Sequence, residues 1–346
     1  RGPGLAYDLA DGDGDIEGGL QCSFLLVHEM SFSHGPSAVK YDRVRTDELW
    51  VVAVISNPVR YKSRYALYKE FETRVLAAGA NLMTVELALG GRDFEVTQDG
   101  HHRHLQLRAR DELWHKENLI NLGVQNLPES WRYVAWIDAD VQFVRPDWPA
   151  EIVHQLQHYK VIQCFQDALD LGPTGEVVQQ HRGFAWSYAT GRPEGKGYYH
   201  WHPGYAWAMR RQTWDDLGGL IDGAVLGAAD HHMAWALLDR VIERSPPQIT
   251  PGYKRMLETW QDRARVHVRG DLGYMPGTIL HSWHGKKHDR RYGERWQILH
   301  DHKFDPDFDL QRDWQGVLQL SHAGERMRNS LRGYFRARHE DSIDLD

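Results

Sequence analysis

The chain has 346 residues, 41% of them hydrophobic, enough to bury one large core or two smaller ones. A net charge of −7 argues against a generally basic nucleic-acid-binding surface, and no apolar run approaches the roughly 20 residues of a membrane span. Two cysteines, Cys22 and Cys164, exclude a disulfide framework or a cysteine metal cluster and favour a reducing, cytoplasmic setting.

Residues 1–47 are rich in Gly, Asp and Ser, and form an expected N-terminal extension with one short strand at Ser23–Val27. Asp11-Gly12-Asp13-Gly14-Asp15 looks like a calcium loop, but Ile16 and Cys22 stand where that loop needs Gly and Glu, so it is rejected. The folded region, 48–320, opens with the continuous apolar run Leu49–Ile55, a buried parallel-strand pattern ended by Ser56-Asn57-Pro58. Apolar residues at helical spacing from Tyr61 to Ala78, with Gly79 as the stop, predict a helix. A second strand at Asn81–Leu87 completes a βαβ unit.

Further on, Asp111 is expected to cap a helix that carries Lys116 and Asn121 and ends near Pro128. After the strand that starts at Tyr133, Asp147-Trp148-Pro149 opens another helix, and Val161–Phe165 is a strand. Residues 166–199, rich in Gly, Gln and Pro and too long for a simple connector, are expected to form a functional lid or a disordered loop. An aromatic strand from His200 to Arg211 leads to a short helix at Gln212–Leu217, and Gly227–His232 opens a further helix. No element is assigned between Val241 and Thr278; there follow a strand at Thr278–Leu280 and a helix around Trp296. The stretch 321–346 reads as a charged, peripheral tail.

The centre of this pattern is Tyr133–Val141, where an apolar strand runs into Asp138-Ala139-Asp140. On a continuing strand the two carboxylates share a face and repel unless a cation lies between them. Oxygen ligands of this kind suit Mg²⁺ or Mn²⁺, ions that leave coordination positions for phosphate oxygens. Solvated aspartates at a strand end are the plainer alternative.

The βαβ start, the strand running into Asp138-Ala139-Asp140, the helix start at Gly227–Asp230 and the late run His281–Lys287 together resemble a GT-A glycosyltransferase. The resemblance covers roughly residues 48–305. It implies an α/β fold: a single large domain with a Rossmann-like mixed sheet flanked by helices. In it, 48–165 would bind the nucleotide sugar and 166–320 would form an acceptor-side subregion. It also implies Mn²⁺ or Mg²⁺ as cofactor, a nucleoside diphosphate sugar (UDP-sugar expected) as donor, and a hydroxyl acceptor in a glycan, lipid, protein or modified nucleic-acid base.

The same resemblance places Ser56, Asn57, Pro58 and Glu86 near the nucleobase, Asp138 near the ribose or the metal, and Asp140 on the metal. Lys116, Asn121, Lys286 and Lys287 join the donor candidates, with a solvated basic face as the alternative. His281 and His284 compete as the late metal ligand, because three residues apart on a strand they would face opposite ways; His281 is preferred. Asp230 is the candidate catalytic base and points to inversion, although Asp is also a favoured helix cap and Ala229 stands where the family pattern has Glu. Trp201, His202, Tyr205, Trp207, Gly218 and Gly219 would line the acceptor side. Two other classes stay open: a nucleotidyl- or phosphotransferase using the same carboxylates, and a non-catalytic carbohydrate-binding protein.

Overall fold

The structure, a computed structural model, describes residues 45–194, 199–291 and 293–344. The strand expected at Ser23–Val27 lies outside the described residues. In the first half of the chain, β1 (Leu49–Ser56), α1 (Lys62–Ala77), β2 (Asn81–Leu89), β3 (His104–Ala109), α2 (Lys116–Gln125) and β4 (Tyr133–Ile137) follow one another. Next come β5 (Val141–Phe143), α3 (Trp148–His158), β6 (Val161–Gln163), β7 (Asp167–Leu171), β8 (Val177–Arg182) and α4 (Phe184–Ala189). Then β9 (Ala206–Arg210), α5 (Arg211–Leu217), α6 (Ala229–Leu237), α7 (Pro251–His267), β10 (Leu272–Tyr274) and β11 (Thr278–His281) form. Finally α8 (Glu294–Asp301), α9 (Pro306–Asp309), β12 (Leu310–Arg312), β13 (Leu318–Leu320) and α10 (Arg328–Arg336) complete the described chain.

Among the described residues the main sheet has the order β10-β6-β9-β4-β1-β2-β3. Strands β1 to β4 run parallel to their neighbours in that set, and β9 lies antiparallel between β4 and β6. The apolar run of β1 is buried on both faces, as a central parallel strand requires. Val51, Ala53, Ala135 and Ile137 pack with residues of α1 and α3, such as Phe71 and Ile152. Val52, Val85, Val134 and Trp136 pack with residues of α2, α5 and α7, such as Ile120, Trp214 and Trp260. Gly123 explains how closely α2 approaches: a Cβ there would stand 2.7 Å from Val52 Cγ1 and 2.8 Å from Val85 Cγ2. The expected class, a mixed α/β sheet flanked by helices, is what forms.

Chain order reverses between β1 and β4, and in open α/β sheets ligands bind beyond the carboxyl ends of the strands at such a switch point. Ser56 and Asp138 leave the sheet there. A second sheet, β5-β11-β7-β8, stands beside this point and pairs His281 with both Val141 and Asp170.

Several expectations are corrected. The D-x-D is not on a strand: β4 ends at Ile137, and Asp138–Asp140 turn into β5, with Val141 N–H donating to Asp138 O at 3.0 Å. Asp111 caps no helix; its carboxylate accepts from Leu320 N–H and from the guanidinium groups of Arg110 and Arg328. The stretch 166–199 is not a plain loop but holds the β7–β8 hairpin and α4. The aromatic strand starts only at Ala206, because Trp201 and Tyr205 have φ of 64° and 79°, left-handed backbone that breaks a strand. Nor is the segment after 320 peripheral. Helix α10 buries Leu331, Tyr334 and Phe335, and Arg338 and Glu340 are buried beyond it.

Candidate active site

A cavity of about 560 Å³ opens at the switch point, within the usual size of a small-molecule site. Ser56 and Pro58 from the end of β1 line it, as do Asp138 and Asp140 from the turn after β4. One wall comes from the second sheet and the loop after it: Gln179, His181, His281, His284, Lys287 and Arg290. The opposite wall comes from the starts of α2 and α6: Lys116, Glu117, Asp230 and His231.

The two aspartates of the D-x-D go to different partners. Asp138 forms an ion pair with Lys116 at the first position of α2. Burial lowers the Lys116 pKa, but the surrounding carboxylates of Asp138, Glu117 and Asp230 outweigh it and hold the ammonium charged. Asp140 instead meets two imidazoles. His284 Nε2 lies 3.1 Å from Asp140 Oδ2, His281 Nε2 lies 3.7 Å from Asp140 Oδ1, and the two Nε2 atoms are 3.2 Å apart. Both histidines converge because β11 ends at His281 and the chain turns before His284. Both rings are thus brought beside Asp140.

Asp140, His281 and His284 form a group whose ligand atoms lie within 4.8 Å of one another. Ligands about 2.1 Å from one ion lie about 3 Å apart when adjacent, so these spacings fit. Asp140 Oδ1 is buried with no hydrogen-bond partner, an unpaired acceptor that an ion would satisfy. Burial raises the Asp140 pKa, yet the two histidines draw it well below the usual carboxylate range. Burial lowers the His281 pKa, but Asp140 and Asp170 push it up to about 9. The site thus gathers positive charge around Asp140, and Arg290 Nη2 adds to it by donating to His284 Nε2 at 3.0 Å. The residues present fit a divalent cation. This group of one carboxylate and two imidazoles contains Asp140 and both late histidines of the expected set, and Asp138 is not part of it.

On the opposite wall, α6 begins at Ala229 after Ala228, which holds φ of 80°. Asp230 is therefore inside the first turn rather than the cap residue. Its Oδ1 accepts from His231 N–H at 2.8 Å, and a Cβ on Gly204 would stand 3.1 Å from its Oδ2. Burial, with the charge of Asp230 adding, pushes the Glu117 carboxyl up to about 8 despite Lys116. Trp114, Arg295 and Trp296 extend this wall.

Of the other predicted residues, His202, Tyr205 and Lys287 line the cavity. The structure does not bring the rest to it. Asn57 is used in the turn before α1, bonding both ways to the Tyr61 backbone. The Glu86 carboxylate is filled by the amides of Glu95, Val96 and Thr97 and by the Thr97 hydroxyl. Asn121 pins the Gly219–Leu220 turn through the Leu220 backbone, and Trp260 donates to Gly219 O. Gly218 closes α5 in the left-handed conformation. Trp207 is buried and donates to Pro203 O, Trp201 stacks on Trp235 at 5.5 Å, and Lys286 is not in the lining.

Sequence reasoning missed Asp170, Gln179, His181, Arg64, Glu117 and Arg338, all at or against the cavity. The hairpin that carries Asp170, Gln179 and His181 was signalled by Gly172-Pro173-Thr174-Gly175 between two stretches able to form strands. Arg338 belongs to a clasp: Glu340 pairs with Arg64 and Arg338, and Asp341 accepts from the Lys62 and Ser63 amides at the start of α1.

No family model matches this chain, and no curated protein does. Solved structures do resemble it. One is a Drosophila β1,4-galactosyltransferase 7 mutant in complex with manganese, UDP-Gal and xylobiose, 12% identical over 81% of this chain and 97% of that one, TM-score 0.39. Another is a putative nucleotide-diphospho-sugar transferase from Desulfovibrio desulfuricans, 12% identical over 86% and 99%, TM-score 0.30. A third is residues 1–349 of S. aureus TarS, 11% identical over 85% and 88%, TM-score 0.31. With TM-scores below 0.5 these are likenesses only, and the site's own geometry carries the functional reading. Among the described residues, no helix is long and apolar enough to cross a membrane.

Proposed function

We propose that the protein is a metal-dependent glycosyltransferase of GT-A type, moving a sugar from a nucleoside diphosphate donor to a hydroxyl acceptor. The observation that carries this reading is the convergence of Asp140, His281 and His284 at the switch point, inside a cavity also lined by Lys287, Arg290 and Arg64. A carboxylate with two imidazoles suits Mn²⁺ better than Mg²⁺, which prefers oxygen alone. When bound, the ion supplies Lewis-acid neutralisation of the diphosphate leaving group.

The chain's own residues do the rest. Ser56 and Pro58, at the end of β1, form the floor on which the nucleoside would lie. Lys287, Arg290 and Arg64 are cations placed to meet diphosphate oxygens. Asp230 takes the acceptor hydroxyl's proton as that oxygen attacks the sugar carbon opposite the leaving group, which gives inversion in one displacement. Lys116 pairs with Asp138 on the same wall, opposing the burial that raises its pKa, and Trp114 and Trp296 offer apolar faces of the kind sugar rings stack on. We further propose that the 48–320 region works as one catalytic domain, with 48–165 on the donor side and 166–320 on the acceptor side.

The test is a panel of nucleotide sugars incubated with and without Mn²⁺, read by release of nucleoside diphosphate. Mn²⁺-dependent release of a diphosphate supports the proposal. Release of sugar 1-phosphate instead would show a nucleotidyltransferase, and binding without turnover would show a carbohydrate-binding protein.

A further inference from the structure

Asp170 carries an arrangement that the proposed reaction does not by itself explain. It lies on β7, and its side chain is 3% exposed. Four donors converge on its two oxygens. Oδ1 accepts from His281 Nδ1 at 3.0 Å and from the Tyr205 hydroxyl at 2.6 Å. Oδ2 accepts from His181 Nε2 at 2.9 Å and from Lys287 Nζ, which also donates to Gln179 Oε1. A carboxylate offers about four acceptor sites, so Asp170 is saturated and has none left for an ion.

The strand register builds this pairing in. Asp170 and His281 are direct partners on the parallel strands β7 and β11, while Gln179 faces Asp170 from β8. Because a carboxylate only accepts, His281 must donate through Nδ1, so the ring that gives up its second proton to an ion has its lone pair on Nε2, the atom that faces Asp140 and His284. On its other oxygen, the same carboxylate holds the ammonium of Lys287 at the cavity wall.

We propose that Asp170 is a positioning residue that sets two donor-side groups at once: the ring and tautomer of His281, and the ammonium of Lys287. Ion binding and diphosphate binding are then coupled through one buried carboxylate that touches neither. This rests on the metal-dependent reading above.

The test is Mn²⁺ titration of the nucleotide-free protein by electron paramagnetic resonance, together with UDP titration, on the unmutated chain, Asp170→Asn and Lys287→Met. Asp170→Asn should weaken Mn²⁺ binding about 10- to 100-fold, since the amide presents a donor where His281 or Lys287 needs an acceptor. Lys287→Met should leave Mn²⁺ affinity within about threefold while weakening UDP, and adding it to Asp170→Asn should cost UDP affinity less than it does alone. Mn²⁺ affinity of a folded Asp170→Asn within about threefold of the unmutated protein would overturn the proposal.

Should that variant fail to fold, histidine nitrogen NMR of the unmutated protein with diamagnetic Mg²⁺ or Zn²⁺ bound decides the point. His281 protonated on Nδ1 supports the proposal, and His281 protonated on Nε2 overturns it. If the unmutated protein binds no divalent ion, the metal-dependent reading falls and this inference with it. If it binds Mn²⁺ and Asp170→Asn binds equally, this inference alone falls.

Discussion

The two walls of the cavity are built on opposite electrostatic principles. On the sheet wall the carboxylates face N–H and cationic groups: Asp140 lies beside two histidines with its Oδ1 open, Asp170 accepts from four donors, and behind them Glu340 pairs with Arg64 and Arg338. On the helix wall, Asp138, Glu117 and Asp230 all draw on the ammonium of Lys116. A saturated network fixes geometry, which is what holding an ion and a diphosphate requires. The helix wall carries the proposed base, Asp230, beside Glu117, whose carboxyl burial pushes up to about 8. The same turn, Asp138-Ala139-Asp140, sends one carboxylate to each wall.

The largest effect should come from breaking the sheet wall at its centre. Asp140→Ala should lower metal-dependent turnover at least about 1,000-fold while circular dichroism stays unchanged, since it removes the carboxylate of the ligand group. Next, Asp230→Asn should lower kcat about 100- to 10,000-fold with little change in nucleotide affinity, which steady-state kinetics beside a nucleotide titration would show. A variant that lost nucleotide binding instead would erase the division between the walls.

The clasp that backs the sheet wall gives a smaller effect, on stability. Burial raises the Glu340 pKa, but Arg64 and Arg338 outweigh it and hold the carboxylate well below its usual range. Its contribution is therefore present above the unfolded pKa and lost as pH falls. Glu340→Gln should cost about 3 kcal/mol in urea unfolding at pH 7, a loss that shrinks toward pH 3.

Glu117 should show the opposite sign. Its folded pKa of about 8 exceeds the unfolded value, so the native state holds a proton that the unfolded chain has released. Stability then falls as pH rises between about 4.3 and that folded value. Glu117→Gln should therefore stabilise the protein by about 2 kcal/mol at pH 8 and by much less at pH 5, read from the same unfolding curves.

Parts of this were legible in the sequence for local reasons. The runs that became β1 and β4 are apolar throughout because both faces of a central parallel strand are covered, and the turn signals after them place the switch point. Helix α7 carries equally local signals, with Thr250 as cap, Pro251 at its first turn and Tyr253, Leu257, Trp260 and Ala264 at helical spacing. What sequence does not carry is convergence. Asp170 and His281 are 111 residues apart, and Arg64 and Glu340 are 276 apart, so only the register and the chain's return bring them together. Asp138 and Asp140 do not share a strand face because the strand ends with its apolar run at Ile137 and the chain turns through both aspartates. Glu86 misled for a related reason: a buried carboxylate beside a predicted site can be filled entirely by a neighbouring loop.

The most direct measurement is calorimetric titration of UDP into the unmutated protein and into Asp140→Ala, each with and without Mn²⁺. The account predicts binding that is strengthened at least about tenfold by Mn²⁺ in the unmutated protein and indifferent to Mn²⁺ in the variant. Nucleotide binding of equal strength in all four titrations, or a Mn²⁺ enhancement that survives Asp140→Ala, would contradict it.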